Sequence, residues 1–333
     1  MSGADPGGAD PGGTHDEGRF AASDGLQLFW QRWRPRSEPG LVGPHAVVVL
    51  VHGVGEHSGR YRNLVRPLVA DGFAVYGYDH RGHGHSPGPR VHVERWAQYR
   101  DDLAAFLALV AGHEPAVPLV LYGHSMGSLV VLDYLVQRPA ATSGVSATSA
   151  AAVANGGAAP SAAALQPPLA GAVVSGVALQ PAGVGKPYQV VMARALSRIA
   201  PRLVVDLGIK PGQLTGDSDG LMAAIGDPLL TSKATVRWGA ESMAALRRVR
   251  AGLSRIELPL LVLHGADDPL NRPAGAHELL DAARSTDTTL RVYPGVRHEP
   301  HNDSCHAQVA ADVSVWLSRL VAPVALTPTA PSA

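Results

Sequence analysis

Six short, nearly unbroken apolar runs, spaced through 333 residues, constrain this chain more than any other feature. They are Ala46 to Val51 (AVVVLV), Phe73 to Tyr78 (FAVYGY), Leu119 to Tyr122 (LVLY), Ala170 to Val177 (AGAVVSGV), Leu258 to Leu263 (LPLLVL) and Thr289 to Tyr293 (TLRVY). A strand with one wet face alternates polar and apolar residues. Runs apolar throughout suit strands covered on both faces, as in a parallel sheet. Helical patterns follow several of them, at Tyr61 to Ala70, Asp101 to Ala111 and Met126 to Gln137. Repeated strand-helix units predict an α/β fold with a doubly wound, mostly parallel sheet.

Other stretches break this rhythm. Residues 1–18 contain ADPGG twice and are dominated by Gly, Ala, Asp and Pro, which predicts a disordered N-terminal tail; residues 323–333 read as a similar C-terminal tail. Within a domain spanning 19–322, residues from about 140 to 168 are almost wholly Ala, Ser, Gly, Thr, Val and Pro without a period, and read as a flexible insertion. The segment from about 180 to 255 has helical patterns and no convincing strand, which predicts a helical cap. In it, Val191, Leu196 and Ile199 can share an apolar stripe while Arg194 and Arg198 lie elsewhere. Packing of that stripe on the core is the first expectation; a lid over an acyl-chain groove, able to touch a lipid surface, is the second.

Charge narrows the function. With 28 Lys and Arg against 28 Asp and Glu, no single-sign field exists to attract nucleic acid, so none is expected as a partner. The single cysteine, Cys305, excludes an internal disulfide framework and a multi-cysteine zinc site. The N-terminus lacks a basic region followed by an apolar one, and no apolar run reaches the roughly 20 residues that span a bilayer. A soluble cytoplasmic protein, able to lie at a membrane periphery, is expected.

The strongest chemical signal is Gly123-His124-Ser125-Met126-Gly127, placed after the strand LVLY and before a helix. In that setting G-x-S-x-G is a nucleophile elbow, a tight turn that lifts the serine hydroxyl above the sheet. Serine is inert without a base, and the base needs an acid to fix its tautomer. Both follow in the order Ser, acid, His. The strand LPLLVL leads into His264-Gly265-Ala266-Asp267-Asp268-Pro269, and TLRVY leads into Pro294-Gly295-Val296-Arg297-His298-Glu299. His298 follows the last strand and is the expected base, with His301 as a local rival read as a solvated helix-start residue. Spacing alone does not separate Asp267 from Asp268. Oxyanion donors are expected at the N–H of Met126 and in the loop His52 to Gly59, with Val54 as the donor there.

Five strings, HGVGEHSGRY (His52 to Tyr61), DHRGHGHSPGPR (Asp79 to Arg90), GHSMG, HGADDP and YPGVRHE, resemble those of the monoacylglycerol lipases and related lysophospholipases of the α/β-hydrolase superfamily. The resemblance covers about Phe20 to Leu320 apart from the insertion. It implies an α/β-hydrolase fold, Asp268 rather than Asp267 as the acid, and the N–H of Val54 as an oxyanion donor. It further implies a serine ester hydrolase acting through an acyl-enzyme on a small lipid ester, monoacylglycerol first, with lysophospholipase or general carboxylesterase activity as alternatives. No cofactor or metal is implied.

Two rival readings are weaker. AVVVLVHGVGEHSG is close to a dinucleotide fingerprint, with Asp79 ending the next strand, so an NAD(P)-dependent oxidoreductase is an alternative. It leaves GHSMG and the later Asp and His unexplained. The histidines His52, His57, His80, His83 and His85 could suggest a metal cluster, yet the stretch belongs to the pattern just named and no cysteine stands among them, and a hydrogen-bonded loop is the expected state. A non-catalytic binding protein on the same fold is the third class; against it, nucleophile, acid and base are all present.

Overall fold

The structure, a computed structural model, describes residues 13–36, 43–138, 167–183 and 194–322. Eight strands form one sheet: β1 (Gly13–Ala21), β2 (Gln27–Pro35), β3 (Val47–Val51), β4 (Ala74–Tyr78), β5 (Leu119–His124), β6 (Leu169–Ser175), β9 (Leu260–Gly265) and β10 (Thr288–Tyr293). Their order is β1-β2-β4-β3-β5-β6-β9-β10, antiparallel at β1-β2-β4 and parallel beyond. All six apolar runs therefore became the parallel strands of the sheet, the last of them, β10, at its edge. Every residue of β3, β4 and β5 is buried. Val47, Val49 and Val51 enter one core layer and Val48 and Leu50 the other, as the two-residue period of a strand requires. Each such side chain contributes about 1.5–3 kcal/mol by leaving water.

Helices cover both faces. On one lie α2 (Ala97–His113), α3 (Met126–Gln137), α6 (Val236–Gly252) and α7 (Ala274–Ala282); on the other lie α1 (Arg62–Ala70) and α8 (His306–Val321). The loops after β3, β5, β9 and β10 consequently open at one edge, where functional groups collect in parallel sheets. Among the described residues, no helix is long and apolar enough to cross a membrane.

Three expectations need correction. Residues 13–18, assigned by composition to a disordered tail, are the first part of β1, paired with β2 from Gly13 opposite Pro35 to Ala21 opposite Gln27. An edge strand needs only a partner for its backbone, and β2 supplies it, helped by the Asp16–Arg32 ion pair at 2.9 Å and His15 stacked on Trp33. The cap is not all helical: β7 (Val204–Asp206) pairs antiparallel with β8 (Lys233–Thr235), beside α4 (Pro211–Leu214) and α5 (Ser218–Gly226). At three residues each, these strands are too short to show a period. Leu196 and Ile199 do not pack on the core; both are exposed, Ile199 at 82%. Val191, residues 1–12, the C-terminal tail from 323 and the insertion up to residue 166 lie outside the described residues.

Candidate active site

Ser125 stands between β5 and α3 with φ 53° and ψ −119°, a conformation an L-residue occupies at a cost of order 1–3 kcal/mol. Close packing enforces it. A Cβ built on Gly127 would lie 1.9 Å from the carbonyl oxygen of Val51, so the first turn of α3 sits directly on the end of β3. Serine is thereby lifted clear of the sheet, and its Oγ lies 2.8 Å from Nε2 of His298. His298 Nδ1 lies 2.8 Å from Oδ2 of Asp268. With Asp268 ionised, Nδ1 carries the proton and Nε2 is left to accept from the serine.

Asp268 is itself held. Its Oδ1 accepts the N–H groups of Leu270 and Asn271 at 2.8 and 2.9 Å, and His264 Nε2 lies 3.3 Å from Oδ2. Burial alone would raise this carboxyl, but the attraction of His298 and these hydrogen bonds outweigh it and hold the group well below the ordinary carboxylate range. Burial likewise works to lower His298, and the Asp268 charge overrides it, leaving the imidazole raised above 6.5. Asp267 is exposed, and only its backbone N–H is engaged, with Val296 O. His301 is not solvated: it is wholly buried, stacked on Tyr61 at 4.3 Å.

The loop after β3 lies against the serine. A Cβ built on Gly53 would sit 3.2 Å from the Ser125 Cβ, and Val54 and Met126 line the same cavity as Ser125 and His298. As the first residue of α3, Met126 has an N–H with no partner inside its helix. The cavity, about 780 Å³, is walled on one side by Trp96, Leu129, Leu207, Trp238, Met243 and Leu246. Glu56, Asp227 and Glu299 line it too. Arg60 ties these carboxylates together, at 2.7 Å from Glu299, 3.5 Å from Glu56 and 3.9 Å from Asp227. Burial and the nearby Glu299 charge push Glu56 up to about 7.

Several of these residues escaped the sequence reading. His264 and Asn271 brace the acid, and Asn271 also donates through Nδ2 to Gly176 O at 2.8 Å. The HG string that ends β9 was the available signal for His264; Asn271, three positions past Asp268, carried none. The histidines of the β3 and β4 loops use ring nitrogens on the backbone: His80 donates to His52 O at 3.1 Å and His83 to Arg81 O at 3.0 Å.

A serine aminopeptidase (S33) family model matches residues 43–165 and 154–305. The chain belongs to the S33 family of α/β-hydrolases. Within it, the chain is 30% identical over 305 residues to a monoacylglycerol lipase of Mycolicibacterium smegmatis, covering 91% of this chain and 97% of that protein. It is 29% identical over 304 residues to the human monoglyceride lipase, covering 90% and 89%. The crystal structure of the monoacylglycerol lipase of Paleococcus ferrophilus superposes with a TM-score of 0.71 at 27% identity, covering 89% of this hydrolase and all of that one. The five motifs thus reflect a likeness running along nearly the whole chain. The glycine loop read as a dinucleotide fingerprint is crossed by the cap, with Thr231 N–H donating to Gly55 O at 2.9 Å.

Proposed function

We propose that this hydrolase cleaves monoacylglycerols to glycerol and fatty acid through an acyl-enzyme on Ser125. The observation that carries the reading is the hydrogen-bonded series Ser125–His298–Asp268, 2.8 Å at each link, at the floor of a cavity with an apolar wall. Ser125 Oγ attacks the ester carbonyl while His298 Nε2 takes its proton, and the N–H groups of Val54 and Met126 receive the oxyanion. The tetrahedral intermediate collapses as His298 returns the proton to the departing glycerol oxygen. Water, deprotonated by the same imidazole, then attacks the acyl carbonyl and releases the fatty acid. Asp268 stabilises the imidazolium in both halves.

Glycerol is favoured over a phosphate-bearing headgroup by Asp227 and Glu299, both held below the ordinary carboxylate range on the cavity wall, with Glu56, raised to about 7, beside them and Arg60 bridging all three. Such a wall repels an anionic leaving group. Contact with a lipid surface is supported by the cap. Among the described residues, seven of the nine exposed large apolar side chains, from Leu196 to Ile225, lie there, and Arg194, Arg198 and Arg202 are exposed beside them. Apolar side chains can enter the headgroup layer while the arginines meet anionic lipid.

The deciding experiment compares the parent with Ser125→Ala on 1-oleoylglycerol, lysophosphatidic acid, p-nitrophenyl esters and aminoacyl anilides. Monoacylglycerol should be the best substrate, and the variant should lose both turnover and fluorophosphonate labelling. Labelling that survives the substitution places the nucleophile elsewhere; faster cleavage of lysophosphatidic acid sinks the headgroup assignment. Binding to anionic vesicles should weaken in Ile199→Ser/Met222→Ser, and unchanged binding would remove the cap from the membrane contact.

A further inference from the structure

We infer that His52 is a positioning residue for the oxyanion site: its imidazole pins the carbonyl of Gly53 and so turns the Val54 N–H toward Ser125. His52 is wholly buried. It cannot touch substrate, and no step of the reaction above uses it. The inference rests on the reading of Val54 as an oxyanion donor.

The ring's hydrogen bonds determine its tautomer. His52 Nε2 lies 2.9 Å from the backbone nitrogen of His80, whose N–H can only donate, so Nε2 is the unprotonated nitrogen. In the neutral ring the proton is then on Nδ1, which lies 2.8 Å from the carbonyl oxygen of Gly53 and donates to it. Burial pushes the imidazole down to about 3, so this neutral form persists across the range in which His298 titrates.

The consequence lies in the next peptide. The Gly53–Val54 bond is trans, since no cis peptide occurs among the described residues. In a trans peptide the C=O and N–H point in opposite directions. Holding Gly53 O against the His52 ring therefore aims the Val54 N–H the other way, at the cavity that Val54 shares with Ser125. The rest of the loop is tied on every side. Gly53 N–H donates to Glu56, His80 Nε2 donates to His52 O at 3.1 Å, and Gly55 O accepts from Thr231 N–H at 2.9 Å. Two bonds thus join His52 and His80 reciprocally, carrying the position of the β4 end to the oxyanion loop. A donor fixed before the charge develops costs no reorganisation during reaction.

The test replaces the ring by two amides. In His52→Gln the side chain still reaches His80 N–H but offers no donor at the δ position; in His52→Asn the amide nitrogen stands near the place of Nδ1. For the Gln variant kcat on a long-chain p-nitrophenyl ester should fall about 10- to 100-fold with KM within two-fold, short of the loss from deleting a donor outright. The inhibition constant of a long-chain trifluoromethyl ketone, whose adduct carries the oxyanion, should rise by the same factor. The acid limb of the pH profile should not move, and His52→Asn should recover to within about five-fold of the parent. A folded Gln variant with parental kcat, or a loss of kcat that the ketone does not follow, overturns the inference. If the Gln variant does not fold, a folded Asn variant that loses as much as 100-fold overturns it, and one within five-fold with a parental ketone constant supports it. Failure of the underlying reading shows separately, as ester turnover in the parent that does not depend on Ser125.

Discussion

At the residue scale the site depends on two opposing forces on one imidazole. Burial works against a charged His298, and the Asp268 carboxylate more than compensates, so the group titrates above 6.5. The base must be neutral to accept the serine proton, so activity falls as pH drops through that raised value. We expect the acid limb of kcat/KM to have its midpoint above 6.5, measured on a soluble ester. Asp268→Asn removes the compensating charge and leaves burial to dominate. Turnover should drop by about 10⁴-fold, as it does when the acid of a Ser-His-Asp triad is replaced. What activity remains should show its acid limb at lower pH. Asp267, exposed and using only its backbone N–H, should tolerate the same change within a few-fold. Loss at Asp267 equal to that at Asp268 would contradict the geometry.

At the element scale, the turn from β5 into α3 brings Ser125, the Met126 N–H and the end of β3 within a few ångströms. Gly127 is the hinge of that packing, because its hydrogen occupies the only space between α3 and Val51 O. Gly127→Ala should destabilise the fold by at least about 2 kcal/mol, since α3 must retreat from the sheet. Its activity should fall further than its folded fraction. Urea unfolding beside active-site titration checks this; an alanine variant of parental stability would mean the helix adjusts freely. The cap is bolted to the loops around Ser125 and His298 rather than laid over them. Leu214 O accepts the Glu299 N–H at 2.8 Å, Asp303 Oδ2 accepts the N–H groups of Arg297 and Gly216 at 2.9 and 3.1 Å, and His57 Nε2 lies 2.9 Å from Asp227. Deleting cap residues therefore disturbs the loops that carry His298 and Val54.

At the scale of the whole molecule, the insertion should be dispensable where the cap is not. Helix α3 runs 12 residues from the serine, about 18 Å of rise, before Arg138. Arg138 then donates to Pro167 O at 2.7 Å, so the two flanks of the insertion meet at the end of the domain remote from Ser125. Replacing residues 142–164 by a short Gly-Ser linker should leave esterase rate constants within a few-fold of the parent, because loop length changes closure entropy by only about 0.6 kcal/mol per doubling. A large loss of turnover in a linker variant that remains folded by circular dichroism would mean the segment acts at the site.

The amino-acid sequence by itself determined the parallel sheet and pointed to Ser125 and His298, with the acid left between Asp267 and Asp268. Six apolar runs leave few other ways to escape water, and each of those residues sits in a short motif directly after a strand, where a parallel sheet gathers its loops. Elements stabilised by partners rather than by their own pattern were decided only in three dimensions. β1 is polar and ordered by pairing with β2, while β7 and β8 are three residues each and take their order from one another. The resemblance to known lipases favoured Asp268 over Asp267; in the fold the Asp268 carboxylate lies 2.8 Å from His298 while Asp267 is exposed. The roles of His52, His264 and Asn271 were equally out of reach of the sequence. Each acts through hydrogen bonds whose geometry exists only once distant strands have brought their ends together.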